Sequence, residues 1–591
     1  MQRERTGIDN PGADLHHLGP PWLTVESGLY ILFVLLAASL RLYSLGGAPL
    51  QEGEARLALD AWRFYTGGVA GIRGHSPLLF HAGVFSYLLF GAKDFAIRLL
   101  PALAGTALVA TPYLLRAQLG RRAALVASAL LAFSPSFVFF SRQANGDIVL
   151  AAASLALVSG VLNYAGTSDW RRLYTLATAL GLGLLASGAA FVLLLILAGF
   201  LVGPALYRRA TSRGVDSPLQ RWWSDRPGRG IAVPALCLFA ALMLLISTGL
   251  LVNLHGIQAT LDLFSSWAGH FRPVAGGQPW SYYLSLLFAY ELPVLVFGLA
   301  GACYLYRRGI FYTFLICWFG VSLVIYSLMG NKPASGIVLI LLPLTLLAAK
   351  AIGDLLAGVR EGQQWLWARL LLAISLPALF QLLLQLAAFG DPNNPGDPRN
   401  LMLVLLSMFF ILCLVVVVGL LSLDWQSALR SGGLLVLVFL GGLMLRGSWR
   451  LNLAMPENPF EILSESTTAT DMRNLTRALE DFSNQREEQR HSIAITVTGG
   501  ENSLLAWYLK DFSNVSFVSE LSSALAPVVI TPFPASEQLP EYRGARFRME
   551  SSWRGSAMTG HDLVNWYLFR ESVQPATYRE VVLWVAPEPE E

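Results

Sequence analysis

A polytopic α-helical membrane protein with a separate α/β domain at its C-terminal end is the fold class this sequence predicts, on three observations. Of 591 residues, 54% are hydrophobic and only 14% charged, whereas soluble domains carry roughly a quarter of charged residues. Apolar runs near the length of about 20 residues that a helix needs to cross a bilayer recur thirteen times. They lie near 27–44, 96–115, 123–140, 148–165, 172–187, 188–206, 231–252, 282–305, 310–329, 336–356, 367–389, 401–422 and 432–446. From residue 447 onward charges become frequent and the apolar runs shorten to strand length.

The remaining composition excludes several classes. A net charge of +3 with no Lys/Arg-rich run gives no footprint for a phosphate backbone, so nucleic acid is not an expected partner. Cys237, Cys303, Cys317 and Cys413 lie inside apolar runs without metal-ligand spacing and read as packing residues. The polar stretch 1–26 lacks the order of a cleaved signal peptide, so it reads as a cytoplasmic tail and the first apolar run as a retained anchor.

A further apolar stretch, 76–92, is short, opens at Ser76-Pro77 and carries His81. Basic residues in short loops stay cytoplasmic, and they fall on one side only if this stretch lies on the membrane. The inward loops then hold Arg116, Arg121 and Arg122, Arg171 and Arg172, Arg208, Arg209 and Arg213, Arg307 and Arg308, and Arg360 and Arg369. This places the N-terminus inside the cell membrane and the tail domain outside. Segments 55–66 and 76–92 read as interfacial helices, with Trp62, Phe64, Tyr65 and Phe80 at headgroup depth. The first outward loop also holds Arg56, Arg63, Arg73 and Lys93, against the trend.

Three units follow: a tail over 1–26, a transmembrane domain over 27–446, and an extracytoplasmic domain over 447–591. In the last, "HSIAITVTG", "VSFVSEL", "APVVITPF" and "EVVLWVAP" read as strands and 468–486 and 501–511 as helices. "TGGENS" has neither phosphate-loop nor dinucleotide spacing. The domain reads as an acceptor-binding or scaffold module.

The candidate functional residues gather on the outward side. The first outward loop, "GGAPLQEGEARLALDAWRFY", brings Glu52, Glu54 and Asp60 next to lipid, where charges are costly unless they face water or protein. His75 follows; "SRQANGDIV" supplies Arg142, Asn145 and Asp147; "WAGHFRPVAGGQPWSYY" supplies His270, Arg272, Tyr282 and Tyr283; and "GNKPASG" supplies Lys332. Glu291 lies within an apolar run, either as a functional intramembrane acid or as an internally hydrogen-bonded one. Asp147 reads as a site acid or a helix cap, Arg142 and Lys332 as phosphate ligands or interfacial anchors, and Arg98 as the partner of Asp94 one turn earlier. His75 reads equally as a brace for its loop or as a substrate contact.

The order "EARLALDAW", "HSPLLFHAGVFSYLLFGAKDFAIRLLPALAG", "LGRRAALVASALLAFSPSFVFFSRQANGDIVLA" resembles the amino-terminal half of the GT-C integral-membrane glycosyltransferases, such as protein O-mannosyltransferases and the aminoarabinose transferase of lipid A. The later "QPWSYYLSLLFAYELPVLV", "GNKPASGIVLILLPLTLLAA" and "LLAWYLKDFSNVSFVSE" are similar to a prokaryotic flippase-activity-associated subfamily linked to protein glycosylation. The resemblance implies transfer of a sugar from a polyprenyl-phosphate-linked donor to an extracytoplasmic acceptor. An acid of the first loop would serve as base, and a second-loop acid, matched by Asp147, would help to shape the site. In those families an Asp-Glu pair precedes the Ala. Here the letters are "EGEA": Glu54 matches the second acid and Gly53 stands at the first. Three readings stay open: Glu52 reaches the same point through a turn at Gly53, Glu54 takes the role, or the chain binds lipid-linked sugar without turnover. No cofactor is implied; a divalent ion on Glu52 or Asp147 is a further option. A different class, a transporter or accessory component of glycolipid flipping, predicts internal repeats and polar groups at mid-membrane. The sequence shows no convincing repeat.

Overall fold

The computed structural model describes residues 24–587 except 69–70, 168–170, 212–228, 359–363, 390–397, 422–424, 522–525, 535–538, 540, 554 and 556–559. Residues 1–23 of the expected tail, and Arg213 and Arg360 of the inward loops, lie outside the described residues.

Helices dominate up to residue 449, because long apolar side chains without internal polar punctuation leave the backbone only itself to hydrogen-bond in lipid. All thirteen apolar runs fall on helices. Among the described residues seven helices are individually long and apolar enough to cross a membrane, and up to nine when two bent pairs each count as one span. The bent pairs are Arg121–Phe133 with Pro135–Ser141, at 58°, and Tyr282–Tyr290 with Leu292–Leu305, at 110°.

The helix Ile337–Gly358 is the axis of the bundle, almost wholly buried. Gly301 of the 292–305 helix lies so close that a Cβ would stand 2.6 Å from the Leu347 carbonyl oxygen. Small residues at helix crossings do this in membranes, where packing replaces the hydrophobic drive. The cysteines differ from expectation: Cys237, Cys303 and Cys317 are exposed on helix surfaces. An all-apolar helix offers no polar face to mark its outside, and lipid is as good a neighbour as protein.

Two short helices precede the second span. Glu52–Tyr65 starts three residues earlier than expected and is capped by Gln51, while Pro77–Phe90 starts at the Ser76 cap. The latter exposes Phe85, Leu88, Leu89 and Phe90, of which Phe90 packs on Phe95. Phe80, expected at headgroup depth, is instead fully buried against Phe64.

Beyond the π-helical turn Arg450–Ala454 the chain builds a six-stranded mixed sheet in the order β1-β5-β6-β4-β2-β3. The strands are β1 (Thr467–Thr468), β2 (Ile495–Thr498), β3 (Val515–Val518), β4 (Val528–Phe533), β5 (Arg543–Ser552) and β6 (Thr577–Val585). β2 runs parallel to β3 and β4, and the other pairs are antiparallel. Helices Asp471–Glu487, Ser503–Tyr508 and Gly560–Phe569 accompany them. The sheet domain sits on the first-loop face of the bundle. Tyr87 stacks on Trp507 with ring centroids 6.1 Å apart, and Asp94 accepts hydrogen bonds from Arg473, Trp507 and Tyr508.

Candidate active site on the sheet-bearing face

The first loop is held by one buried ion pair. Arg98 donates to both oxygens of Glu54, Nε at 2.9 Å and Nη2 at 2.5 Å, and to the carbonyls of Leu45, Ala48 and Pro49. Glu54 further accepts from the backbone N–H groups of Gln51 and Ala144. The Arg98–Asp94 pairing expected from spacing is therefore replaced by a contact across 44 residues, and Asp94 turns to the sheet domain. A carboxylate with four donors has no lone pair left for an acceptor hydroxyl.

Glu52 is the opposite case. It occupies the first position of its helix, is half-buried, and makes no side-chain hydrogen bond among the described residues. Its charge acts on Glu550 of β5, whose carboxyl is pushed up first by burial and then by Glu52. Glu550 is held by Arg579 and by the Ser466 hydroxyl, each at 3.5 Å. Gly53 is an ordinary helical residue, so the expected turn there is absent; a Cβ at this position would meet nothing within 4 Å.

Arg142 and Lys332 are committed to backbone. Arg142 donates to the carbonyls of Leu40, Arg41, Tyr43 and Ser44, closing the end of the helix Val25–Leu42. Burial, with Arg98 nearby, pulls its guanidinium down to about 10. Lys332 is 5% exposed and donates to the carbonyls of Gln278 and Met329. Arg142 and Arg98 also border a small cavity of about 50 Å³ beneath the first loop, with Gln51 and Thr468 on its other side.

A second acidic focus lies at the start of the helix Gly146–Thr167. Asn145, not Asp147, caps the Asp147 N–H. The Asp147 carboxylate accepts from the hydroxyls of Ser187, at 2.5 Å, and Ser335, and lies within electrostatic range of His270, Tyr283 and Tyr326. Tyr283 donates to the Pro333 carbonyl and Tyr282 to that of Ile462. His270 is half-buried and Arg272 exposed; His270 Nδ1 is 2.9 Å from the Ser266 carbonyl oxygen, and Arg272 makes no side-chain hydrogen bond among the described residues.

Segment 461–468 connects the two acidic foci. Ser464 receives the Gln51 amide, Ser466 reaches Glu550, and Glu465 between them faces His270, Tyr282 and Tyr283. Glu465 is reachable by solvent yet surrounded by protein, which raises its carboxyl, an effect that His270 opposes. Glu465 and Glu550 are candidate residues that sequence reasoning missed. The only signal for Glu465 was an acid between two serines past the last apolar run, and Glu550 had none.

Two expected residues stand elsewhere. His75 bonds Asp60 at 2.8 Å and braces its own loop. Glu291, fully buried at the 110° bend, accepts from the Ser134 hydroxyl and the Ser136 N–H, leaving one oxygen unpartnered. No group of three or more His, Cys, Asp or Glu side chains comes together among the described residues.

The helical bundle with its mixed-sheet domain has the fold of a solved membrane-protein structure, ArnT. Residues 74–215 match the family model described as dolichyl-phosphate-mannose-protein mannosyltransferase. The chain is similar to ArnT from Cupriavidus metallidurans bound to undecaprenyl phosphate, at 15% identity and a TM-score of 0.55 over 94% of this chain and 98% of that one. Its apo state gives 16% and 0.53 over 95% and 98%. The archaeal oligosaccharyltransferase AglB from Archaeoglobus fulgidus gives 13% and 0.41 over 82% and 63%. No curated protein sequence matches.

Proposed function

We propose that this chain is a membrane glycosyltransferase that moves a sugar from a polyprenyl-phosphate-linked donor to an acceptor on the sheet-bearing face, which is the extracytoplasmic one. The observation that carries the reading is the division of labour within "EGEA": Glu54 is spent on Arg98, while Glu52 keeps its carboxylate free at the start of a helix. The fold, shared with a structure holding undecaprenyl phosphate, supports the lipid carrier.

In this reading Glu52 takes the proton of the acceptor hydroxyl as its oxygen attacks the anomeric carbon. The bond from that carbon to the phosphate oxygen breaks, and polyprenyl phosphate leaves with the electron pair. Asp147, oriented by Ser187 and Ser335, and Glu465, beside Tyr282 and Tyr283, border the sugar. Arg272 and His270 face the departing phosphate, since a developing anion needs cations with unspent donors and those of Arg142 and Lys332 are engaged. The likeness of the later segments to the flippase-activity-associated subfamily points to protein as the acceptor class.

Purified protein in lipid, offered a panel of polyprenyl-phospho-sugars, should release polyprenyl phosphate, and Glu52→Gln should abolish most of that release. A parent that binds these donors without releasing the carrier would instead make it a lipid-linked-sugar binding protein or an accessory to glycolipid flipping, the reading that Gly53 keeps open.

A further inference from the structure

A second cavity, of about 30 Å³, lies away from Glu52 and Asp147, between the end of the helix Trp425–Trp449, the break at residues 289–293 and the end of the helix Gly560–Phe569. Three arginines line it, Arg446, Arg450 and Arg570, and none of its lining residues is acidic. Leu440, Leu443, Met444 and Leu292 form its apolar wall.

Arg570 is built into this place at some cost. It is 7% exposed and adopts a φ of 54°, a left-handed conformation in which side chains other than Gly, Asn and Asp are uncommon and which often marks function. Its Nη2 donates to the Ala289 carbonyl at 3.0 Å, Nε stands 3.6 Å from Glu461, and its guanidinium packs 4.1 Å from the Trp566 ring centroid. Nη1 is buried with no hydrogen-bond partner, and a buried unpaired donor on a charged group is costly. Arg450 gives both amino groups to the carbonyls of Leu568 and Phe569 and so contributes charge alone. Arg446 is exposed and makes no hydrogen bond or ion pair among the described residues.

We infer that this cavity is a binding site for the phosphate headgroup of an anionic lipid, seated by Arg446 and by the spare Nη1 of Arg570. Arginine clusters at the bilayer surface hold phosphate in this way. A hydrocarbon-bearing phosphate fits better than a free one, because the wall continues along a helix whose Val436, Val438 and Leu445 are exposed and would stand in the bilayer. The helix Tyr282–Tyr290 separates Tyr282 at the acidic cleft from Tyr290 at this cavity by about 12 Å. The lipid would therefore be distinct from the sugar donor, tying the sheet domain to the bundle through Arg570.

The test uses the full chain in phosphatidylcholine nanodiscs, titrated with phosphatidic acid and read by native mass spectrometry. One phosphatidic acid should be retained per chain. Arg446→Ala should weaken its retention roughly 10- to 100-fold, the scale of one charge-assisted bond, Arg446→Lys should lose less, and Arg272→Ala should leave it unchanged. Inorganic phosphate should not displace it. Equal retention by the parent and Arg446→Ala would overturn the site, and displacement by millimolar inorganic phosphate would overturn its assignment to a lipid. Because the measurement reads binding and not sugar transfer, its failure is separable from failure of the proposed activity.

Discussion

Glu54 and Glu52 stand two residues apart in one helix, and the regions around them are built on opposite principles. Around Glu54 every charge is consumed: Arg98 fills the carboxylate, and Arg142 spends its donors on carbonyls. Around Glu52 the charges are left over: Glu52 has no donor, Glu550 carries a raised carboxyl beside it, and Glu465 and Arg272 face open space. A saturated network fixes geometry, whereas acid-base chemistry and anion binding need groups whose lone pairs and protons are not already used. The first region is thus the frame and the second the candidate workplace.

The widest separation between them should come from breaking the frame. Arg98→Ala leaves a buried Glu54 carboxylate without its partner, a change that costs about 3–5 kcal/mol in buried pairs. Thermal unfolding in detergent should show a large drop in midpoint for this variant and almost none for Glu52→Gln. In the opposite direction, Glu52→Gln should lower release of polyprenyl phosphate by at least ~10²-fold, the usual scale for a lost acid-base group, with donor affinity preserved. Comparable stability losses for both variants would erase the distinction drawn here.

Next in size is the donor phosphate. Arg272→Ala should weaken binding of a polyprenyl-phospho-sugar by roughly 10-fold or more, while Lys332→Ala should lower the melting temperature and leave donor affinity nearly unchanged. A calorimetric titration in which Lys332→Ala loses the donor and Arg272→Ala does not would move the phosphate from Arg272 to Lys332.

Glu550 gives a pH-dependent test. Its carboxyl is raised in the folded protein, so the folded state binds its proton more readily than the unfolded chain does. Relative to a neutral side chain, ionised Glu550 then costs stability at neutral pH, and the cost disappears as pH falls below the ordinary carboxylate value. Glu550→Gln should therefore stabilise the protein at pH 7 and have little effect near pH 4 in parallel melts. A stabilisation of equal size at both pH values would remove Glu52 and burial as its cause. The smallest effect expected is at Gly53, where a side chain has room: Gly53→Asp should raise turnover modestly, and an unchanged rate would indicate that this position does not face the reacting hydroxyl.

The strands show where sequence patterning stops working. "ITVT", "VSFV", "VVITPF" and "VVLWV" are apolar runs and form β2, β3, β4 and β6. β5, "RGARFRMESS", is equally a strand but carries Arg543, Arg546 and Arg548. Its β character comes from pairing with β1 and β6 on either side, which composition does not announce. Phe80 erred similarly: an aromatic in an apolar helix looks the same whether its neighbour is a lipid headgroup or Phe64.

By itself the sequence determined what depends on solvent and on local pattern: the helical membrane bundle, the placing of every apolar run on a helix, and the α/β tail. These follow from transfer free energies summed over neighbouring residues, which the chain order already contains. Only the tertiary structure decided which charges remain available. Arg98 chose Glu54 over the Asp94 four residues away, Arg142 and Lys332 turned to carbonyls, and Glu465 and Glu550 arrived beside the first-loop helix from more than 400 residues along the chain. A hydrogen-bond donor is satisfied by whatever acceptor the fold brings within about 3 Å, and that proximity is a property of the packed chain.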